Sequence, residues 1–233
     1  MINDEKQIIF IHIPKNAGTS IEHALMSSKE SIDMDTNKLE YIKWKIEKYD
    51  PLKLHRHSKY PDYINYEPEK WKTYTKFAVI RNPYDRIVSW YNYLKKLCEQ
   101  YEELWLNAQL NAKHGQLHKI MNEKPPRFNY TFKQFVYNHY KIAELVSIAI
   151  GQPWNYRELF DPQFYWVDDS VEILKYENLK EDFNKLLPNI KLPLKNKSIR
   201  SKESFVEYYT RETADKIYNE YTEDFKKYNY EKL

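Results

Sequence analysis

Residues 7–20 read QIIFIHIPKNAGTS, and this stretch decides the fold. The first seven residues form a nearly continuous β-branched and aromatic run before Pro14, which is typical of a strand buried on both faces. A short turn follows, and residues 19–26 carry apolar side chains at helical spacing. The pattern predicts a buried strand, a tight turn and a helix.

The same order of elements recurs further along the chain. Residues 76–91 read KFAVIRNPYDRIVSWY, in which an apolar strand is followed by Asn82 as a helix cap and by Pro83 at the first helical position. Residues 171–176 predict a third strand and residues 179–187 a helix after it. Strands that alternate with helices favour a parallel sheet. We therefore predict an α/β fold of three layers, with a central parallel sheet flanked by helices.

The rest of the chain predicts helices and one polar connection. No stretch is rich enough in proline, glycine or serine to divide the chain, so we expect one domain over residues 1–233. Residues 50–71 contain prolines and histidines, and we expect a polar connection there that lies outside the core. Further helices are predicted at residues 37–49, 84–110, 131–149 and 210–227.

Composition excludes several classes of protein. The net charge of +3 comes from 37 basic and 34 acidic residues, a balance that disfavours nucleic acid as a partner. The single cysteine, Cys98, favours a reducing compartment, and no Cys/His spacing is typical of a metal site. No segment approaches the roughly 20 apolar residues of a transmembrane helix. We expect a cytoplasmic protein whose site for an anion is local.

The first turn combines the donors that bind an anion. Lys15, two hydroxyl residues and the backbone N–H groups at a helix start lie within a few residues of each other. Gly18 would let the backbone approach a ligand closely. The turn is P-loop-like, but its lysine precedes the glycine, whereas the nucleotide P-loop has the order glycine, lysine, Ser/Thr.

The second turn offers a different anion site. Arg81 stands at the end of a predicted strand, and Ser89 follows about two helical turns later. Arginine presents a planar fork of donors that suits a phosphate, and serine adds a short hydroxyl. A plain P-loop kinase does not need a second anion site of this kind.

Both turns resemble motifs of one family. Residues 14–20 resemble the 5′-phosphosulfate-binding loop of the sulfotransferase superfamily, in particular its carbohydrate sulfotransferase branch, sulfotransferase family 2. The common form there is P-K-T-[AG]-G-T-S, so Asn16 replaces a threonine. Residues 79–91 resemble the family's 3′-phosphate-binding motif, V-R-N-P-x-D-R-x-x-S-x-Y. The resemblance also covers residues 176–179, YENL, which we interpret as a structural turn.

The resemblance implies 3′-phosphoadenosine 5′-phosphosulfate (PAPS) as sulfuryl donor, adenosine 3′,5′-bisphosphate as product, and no metal. Residues 196–201 resemble a late loop that closes over the nucleotide, although they are equally typical of a polar loop before the last helix. The nucleotide-binding residues that the resemblance implies are Lys15, Asn16, Ala17, Gly18, Thr19, Ser20, Arg81, Ser89, Lys197, Ser198 and Arg200.

The catalytic base is expected between the two turns. Histidine is the natural base near neutral pH, and the resemblance places the family's base in this interval, commonly after a basic residue. His57 follows Arg56 and fits that position. His55 is the alternative, since an extended segment would put both rings on one side. Lys15 is assigned the electrophilic role of stabilising the leaving group.

Activity and acceptor follow from the resemblance. It implies in-line transfer of a sulfuryl group to an acceptor hydroxyl, with a carbohydrate favoured, on a glycan or glycolipid; a small molecule or a peptide tyrosine is the alternative. A helical middle region, about residues 92–151, is expected to shape the acceptor pocket. Two other functions stay open: a P-loop-like small-molecule kinase, and a non-catalytic nucleotide-binding module. The oligomeric state is not readable from the sequence.

Overall fold

The computed structural model describes residues 1–25, 54–110, 127–149, 156–193 and 205–233. The chain divides into two compact units. The sheet unit comprises Met1–Arg81 and Gln163–Ile199, and the helical unit comprises Asn82–Pro162 and Arg200–Leu233. The single domain over residues 1–233 stays a prediction.

Four strands form the sheet of the sheet unit. They are β1 (Ile2–Asn3), β2 (Ile8–Ile11), β3 (Thr75–Ile80) and β4 (Glu172–Lys175), and they lie side by side in this order. The pairs β2/β3 and β3/β4 are parallel, whereas β1 is antiparallel to β2. The predicted α/β fold class is confirmed. The prediction had no place for β1, because two residues are too short for a hydrophobic pattern.

Helices follow the strands in most of the predicted positions. Residues 37–49, predicted as a helix, lie outside the described residues. The described helices are α1 (Gly18–Leu25), α2 (Tyr60–Tyr66), α3 (Pro68–Thr73), α4 (Pro83–Leu110), α5 (Phe132–Ala149), α6 (Tyr156–Leu159), α7 (Leu179–Leu186), α8 (Arg211–Glu220) and α9 (Thr222–Lys227). Short 3₁₀ turns span Gln163–Trp166, Tyr176–Asn178 and Val206–Tyr208.

The core of the sheet unit explains why β2 and β3 are apolar throughout. Phe10 and Phe77 pair across these parallel strands, with ring centroids 5.1 Å apart. Side chains alternate along a strand, so both rings share a face, which α1 and α7 cover with Ile21 and Phe183. The residues between them, such as Ile9, point to the other face and are also buried. A continuous apolar run is the pattern that such a doubly covered strand requires.

The expectation of a polar connection at residues 50–71 is wrong for its second half. Residues 60–66 and 68–73 form α2 and α3, and Pro61 and Pro68 stand in their first turns, where proline is tolerated. Tyr63 and Trp71 are buried, with ring centroids 5.9 Å apart. The prolines therefore mark two helix starts here, and Tyr63 and Trp71 belong to the core.

The helical unit is built around aromatic side chains. Trp90 of α4 stacks on Phe160, with ring centroids 4.5 Å apart, and helices α5 and α8 add Phe135 and Ile217 to the same core. Arg86 is buried and donates hydrogen bonds to the backbone carbonyls of residues 159 and 161. The predicted helix 210–227 is broken at Tyr221, between α8 and α9. Among the described helices of the whole chain, none has both the length and the apolar character that crossing a membrane requires.

Candidate active site

The turn after β2 has an unusual backbone. Lys15 and Ala17 adopt left-handed conformations, with φ of 69° and 62°. Residues with a Cβ atom adopt such values rarely, and they are held there only where the surrounding structure determines them. Helix α1 begins at Gly18, so its first N–H groups point out of the helix into this turn. The turn thus concentrates backbone donors beside Lys15, which suits a negatively charged group.

The turn after β3 brings Arg81 to the same place. The Arg81 side chain is only 5% exposed, and its Nη1 atom donates a hydrogen bond of 2.9 Å to the backbone carbonyl of Lys15. Its guanidinium also lies over the ring of Tyr176, 4.0 Å from the ring centroid. The two predicted anion-binding turns are therefore neighbours at the carboxyl ends of adjacent parallel strands. Tyr176 belongs to the YENL turn, so this turn orients Arg81 as well as connecting β4 to α7.

Two buried amides join these turns. Asn16 donates from Nδ2 to the carbonyl of Val79 at 2.7 Å and to Oε1 of Gln163 at 2.6 Å. Gln163 in turn bonds to both backbone polar groups of Arg81, each at 2.9 Å. Asn16 was predicted to bind the nucleotide, and the contacts described for it are to the protein. Gln163 stands in no motif, and no sequence pattern marks it.

One ring nitrogen of His57 is hydrogen-bonded to the protein backbone. Its Nδ1 atom lies 3.0 Å from the backbone carbonyl of His12. Since a carbonyl can only accept, Nδ1 carries the hydrogen and Nε2 is left as the basic nitrogen. Burial lowers the pKa of His57 well below its ordinary value of 6.5, so the ring is neutral at pH 7. This is the protonation state that a general base needs.

His55 has a different environment. Residues 55–58 form a hydrogen-bonded turn, in which the Ser58 N–H donates to the carbonyl of His55 at 3.1 Å. The expectation that an extended segment puts both rings on one side is therefore wrong. His55 is exposed, and its Nδ1 atom accepts a hydrogen bond of 3.1 Å from the backbone N–H of His57. The turn holds His57 against His12 and turns His55 outward to solvent.

Comparison with known protein families identifies the family of this chain. The model of the sulfotransferase family matches residues 1–231, which is nearly the whole chain. The chain belongs to the sulfotransferase family. The predicted resemblance to sulfotransferase family 2 is thereby confirmed. No curated protein and no solved structure matches the chain significantly.

The sulfotransferase carries a buried charged cluster under His57. His12 donates from Nδ1 to Oε1 of Glu22 at 2.7 Å, and Arg56 pairs with the other carboxylate oxygen at 2.5 Å. Burial lowers the pKa of His12 to about 4. Burial opposes the ionisation of Glu22, but the hydrogen bond from His12 and the charge of Arg56 outweigh it and hold the Glu22 pKa well below its ordinary range. The cluster is thus a neutral imidazole beside a carboxylate and guanidinium pair.

This cluster links the histidine segment to the first turn. Arg56 Nη2 also donates to the Thr19 hydroxyl at 3.0 Å, so one side chain joins residues 55–58 to α1. The rings of His12 and His57 meet edge to face, with centroids 4.6 Å apart. No sequence pattern indicated these contacts, because Arg56 stood out only as the basic residue before His57.

Residue 18 is a glycine for a structural reason that the sequence pattern did not indicate. A Cβ atom at Gly18 would lie 1.9 Å from Nε2 of His12, far inside any allowed contact. We expected Gly18 to permit close approach of a ligand, and the contact described for it is with the His12 ring. The absence of a side chain at residue 18 therefore lets His12 lie under the turn.

The remaining predicted residues fall in different places. Ser20 is buried in the first turn of α1. Ser89 is half-buried in the helical unit, two turns into α4, and its place beside Arg81 stays a prediction. Lys197, Ser198 and Arg200 lie outside the described residues. Among the described residues, no group of three or more histidine, cysteine, aspartate or glutamate side chains could hold a metal ion.

Proposed function

We propose that this sulfotransferase transfers a sulfuryl group from PAPS to an acceptor hydroxyl, with a carbohydrate as the acceptor class. The observation that carries the proposal is the hydrogen bond from Arg81 Nη1 to the Lys15 carbonyl, 2.9 Å long. It joins two cationic turns, each suited to a phosphate, within reach of one nucleotide. A doubly phosphorylated adenosine needs two such sites, whereas a nucleoside triphosphate needs one continuous cradle.

The donor set of the sheet unit fits PAPS. The first turn offers the Lys15 ammonium and the N–H groups at the start of α1, which suit the 5′-phosphosulfate. Arg81 has five N–H donors in a fixed fork, enough to hold the Lys15 carbonyl and an anion at the same time. We assign the 3′-phosphate to Arg81; Ser89 is the second donor that the family resemblance implies. When bound, PAPS supplies an activated sulfuryl group on a phosphate leaving group.

The chain's own residues then have separate tasks. His57 Nε2 accepts the proton of the acceptor hydroxyl, because Nδ1 is committed to the His12 carbonyl. The Lys15 ammonium stabilises the negative charge that develops on the leaving phosphate. Arg56 joins residues 55–58 to the turn that carries Lys15. This link keeps the base, His57, and the electrophilic group, Lys15, correctly placed relative to each other.

Ligand-dependent thermal stability tests the nucleotide. Adenosine 3′,5′-bisphosphate, with EDTA present, is expected to raise the Tm of the wild-type protein, and Lys15→Ala and Arg81→Ala should each reduce that increase. At 100 times Kd the bound nucleotide contributes about 2.7 kcal/mol. A larger increase from ATP with Mg²⁺ would instead support a P-loop-like kinase and overturn the proposal.

Transfer of ³⁵S from labelled PAPS to a panel of acceptors tests the reaction. The panel holds neutral oligosaccharides, a glycolipid, phenolic small molecules and a tyrosine peptide. Label on an oligosaccharide or glycolipid is the expected result. Binding of the bisphosphate without transfer to any acceptor would favour a non-catalytic nucleotide-binding module.

A further inference from the structure

Gln163 is a fully buried polar residue that no motif contains. It begins the 3₁₀ turn Gln163–Trp166, and its exposed fraction is 0%. We infer that Gln163 is a positioning residue which, together with Asn16, holds the two nucleotide-binding turns in one register. The inference rests on the proposed function and explains how two separate turns serve one nucleotide.

Gln163 fixes the backbone of Arg81 from both sides. Its Oε1 atom accepts a hydrogen bond from the Arg81 N–H, and its Nε2 atom donates one to the Arg81 carbonyl, each 2.9 Å long. A side-chain amide thus pairs with one residue as a neighbouring strand would, just past the end of β3. Two bonds to one residue restrict its φ and ψ, and so restrict the direction in which the guanidinium leaves the backbone.

Asn16 connects the same amide to the first turn. Both hydrogens of its NH₂ group are used, one by Gln163 Oε1 at 2.6 Å and one by the Val79 carbonyl at 2.7 Å. Gln163 Oε1 accepts from Asn16 and from Arg81, so both of its lone pairs are engaged. The bonds therefore run without a break from the Lys15 turn through two amides to Arg81.

The departure of Asn16 from the family motif fits this geometry. The common form has threonine here, and a hydroxyl has a single hydrogen to donate. Threonine could donate to the Val79 carbonyl or to Gln163 Oε1 but not to both. An asparagine that is 1% exposed, with two acceptors within 2.7 Å, provides the extra donor that Gln163 uses. The pair Asn16 and Gln163 therefore acts as one unit.

The hydrogen bonds of Gln163 predict which phosphate contacts its loss should weaken. A residue that holds only the first turn would change affinity for the 5′-phosphate, and one that holds only Arg81 would change affinity for the 3′-phosphate. Gln163 holds both, so its loss should weaken both contributions. Adenosine 3′,5′-bisphosphate, 5′-AMP and 3′-AMP separate these contributions without any catalytic turnover.

The main variant is Gln163→Met, which keeps the length of the side chain and removes its hydrogen bonds. Titration calorimetry should show about 10-fold weaker binding of the bisphosphate, because the two turns are then no longer held in place and must be ordered when the ligand binds. Binding of 5′-AMP and of 3′-AMP should each weaken as well. Gln163→Glu keeps the acceptor but sets a carboxylate oxygen against the Arg81 carbonyl, so it should not restore affinity.

The matched control is Phe183→Leu, a buried substitution in the sheet unit that belongs to neither turn. It lowers the Tm through packing but should leave the Kd of the bisphosphate within about two-fold when measured well below the Tm. Equal Kd values for wild type and Gln163→Met would overturn the inference. A wild-type protein that does not bind the bisphosphate would instead overturn the proposed function.

Asn16→Thr provides a second, milder test. It retains one of the two donors, so we expect bisphosphate binding about three- to ten-fold weaker than in the wild type. In the Gln163→Met background the same substitution should cost less, because the partner of the lost hydrogen is already missing. Additive effects of the two substitutions would contradict a single positioning unit. If Gln163→Met does not fold, Asn16→Thr alone tests the inference, and a wild-type Kd for that variant would overturn it.

Discussion

Among the described residues, each unit of the protein buries a histidine beside a glutamate, and the two pairs differ in what surrounds them. In the sheet unit His12 bonds to Glu22 at 2.7 Å, and in the helical unit His139 Nε2 lies 3.0 Å from Glu220 Oε1, out of hydrogen-bond alignment. A cation supports each carboxylate, Arg56 in the first pair and Lys216 in the second. By composition and burial the pairs are nearly the same.

Their neighbours give them different roles. The His12 ring contacts the His57 ring and fills the space beside Gly18, and the Arg56 partner of Glu22 also holds Thr19 of the predicted anion-binding turn. The His139 ring packs instead against Tyr140 and Phe160, with centroids 4.2 and 4.9 Å away. A buried histidine and glutamate pair is therefore not evidence of an active site by itself. The residues that surround the pair decide its role.

Removal of His57, which contacts His12 in the sheet unit, should lower kcat more than any other substitution below. His57→Ala is expected to lower kcat by about 10²–10⁴-fold, the usual contribution of a general base. The Kd of adenosine 3′,5′-bisphosphate should stay within about three-fold, because in the proposed mechanism His57 contacts the acceptor and not the nucleotide.

His55→Ala is the matched control, since it removes the exposed imidazole next to the same turn. Its kcat should remain close to the wild-type value. The reverse result, a large loss in His55→Ala and a small one in His57→Ala, would assign the base to His55.

Substitution of the two glutamates tests the comparison directly. Glu22→Gln and Glu220→Gln each weaken a buried ion pair and should lower the free energy of unfolding by about 1–3 kcal/mol, less than for a pair fully shielded from solvent. Only Glu22→Gln should also reduce kcat, by about 10-fold, because Arg56 then loses the carboxylate that aligns it on Thr19.

Urea unfolding and steady-state kinetics on the same two proteins give both quantities. If Glu220→Gln reduced kcat as much as Glu22→Gln, the two pairs would not differ in function. The distinction would also be lost if neither variant changed kcat.

The pH dependence should show the smallest effect. Protonation inactivates a base, and a lowered pKa moves that protonation to lower pH. Since the His57 pKa lies well below 6.5, kcat/KM should change less than about two-fold between pH 7.5 and 6.5. An acid limb centred at or above pH 6.5 would mean that His57 is not the base.

Several elements were predictable because their signals are local. The strands β2, β3 and β4 and the helices after them follow from apolar runs, proline positions and helical spacing, and the structure places their ends within about two residues of the predictions. The prolines of residues 50–71 misled the prediction, because a proline in a first helical turn and a proline in a loop look alike when the buried partners of Tyr63 and Trp71 are unknown.

The amino-acid sequence alone determined the α/β class, the strand-to-helix turns after β2 and β3, and the family, since each depends on residues close together in the chain. Tertiary structure alone decided which polar side chains support those turns. Asn16 and Gln163 are 147 residues apart, and His12 and Arg56 contact partners that no local sequence pattern indicates. A buried hydrogen bond needs a partner in space, and only the folded sheet brings such partners together.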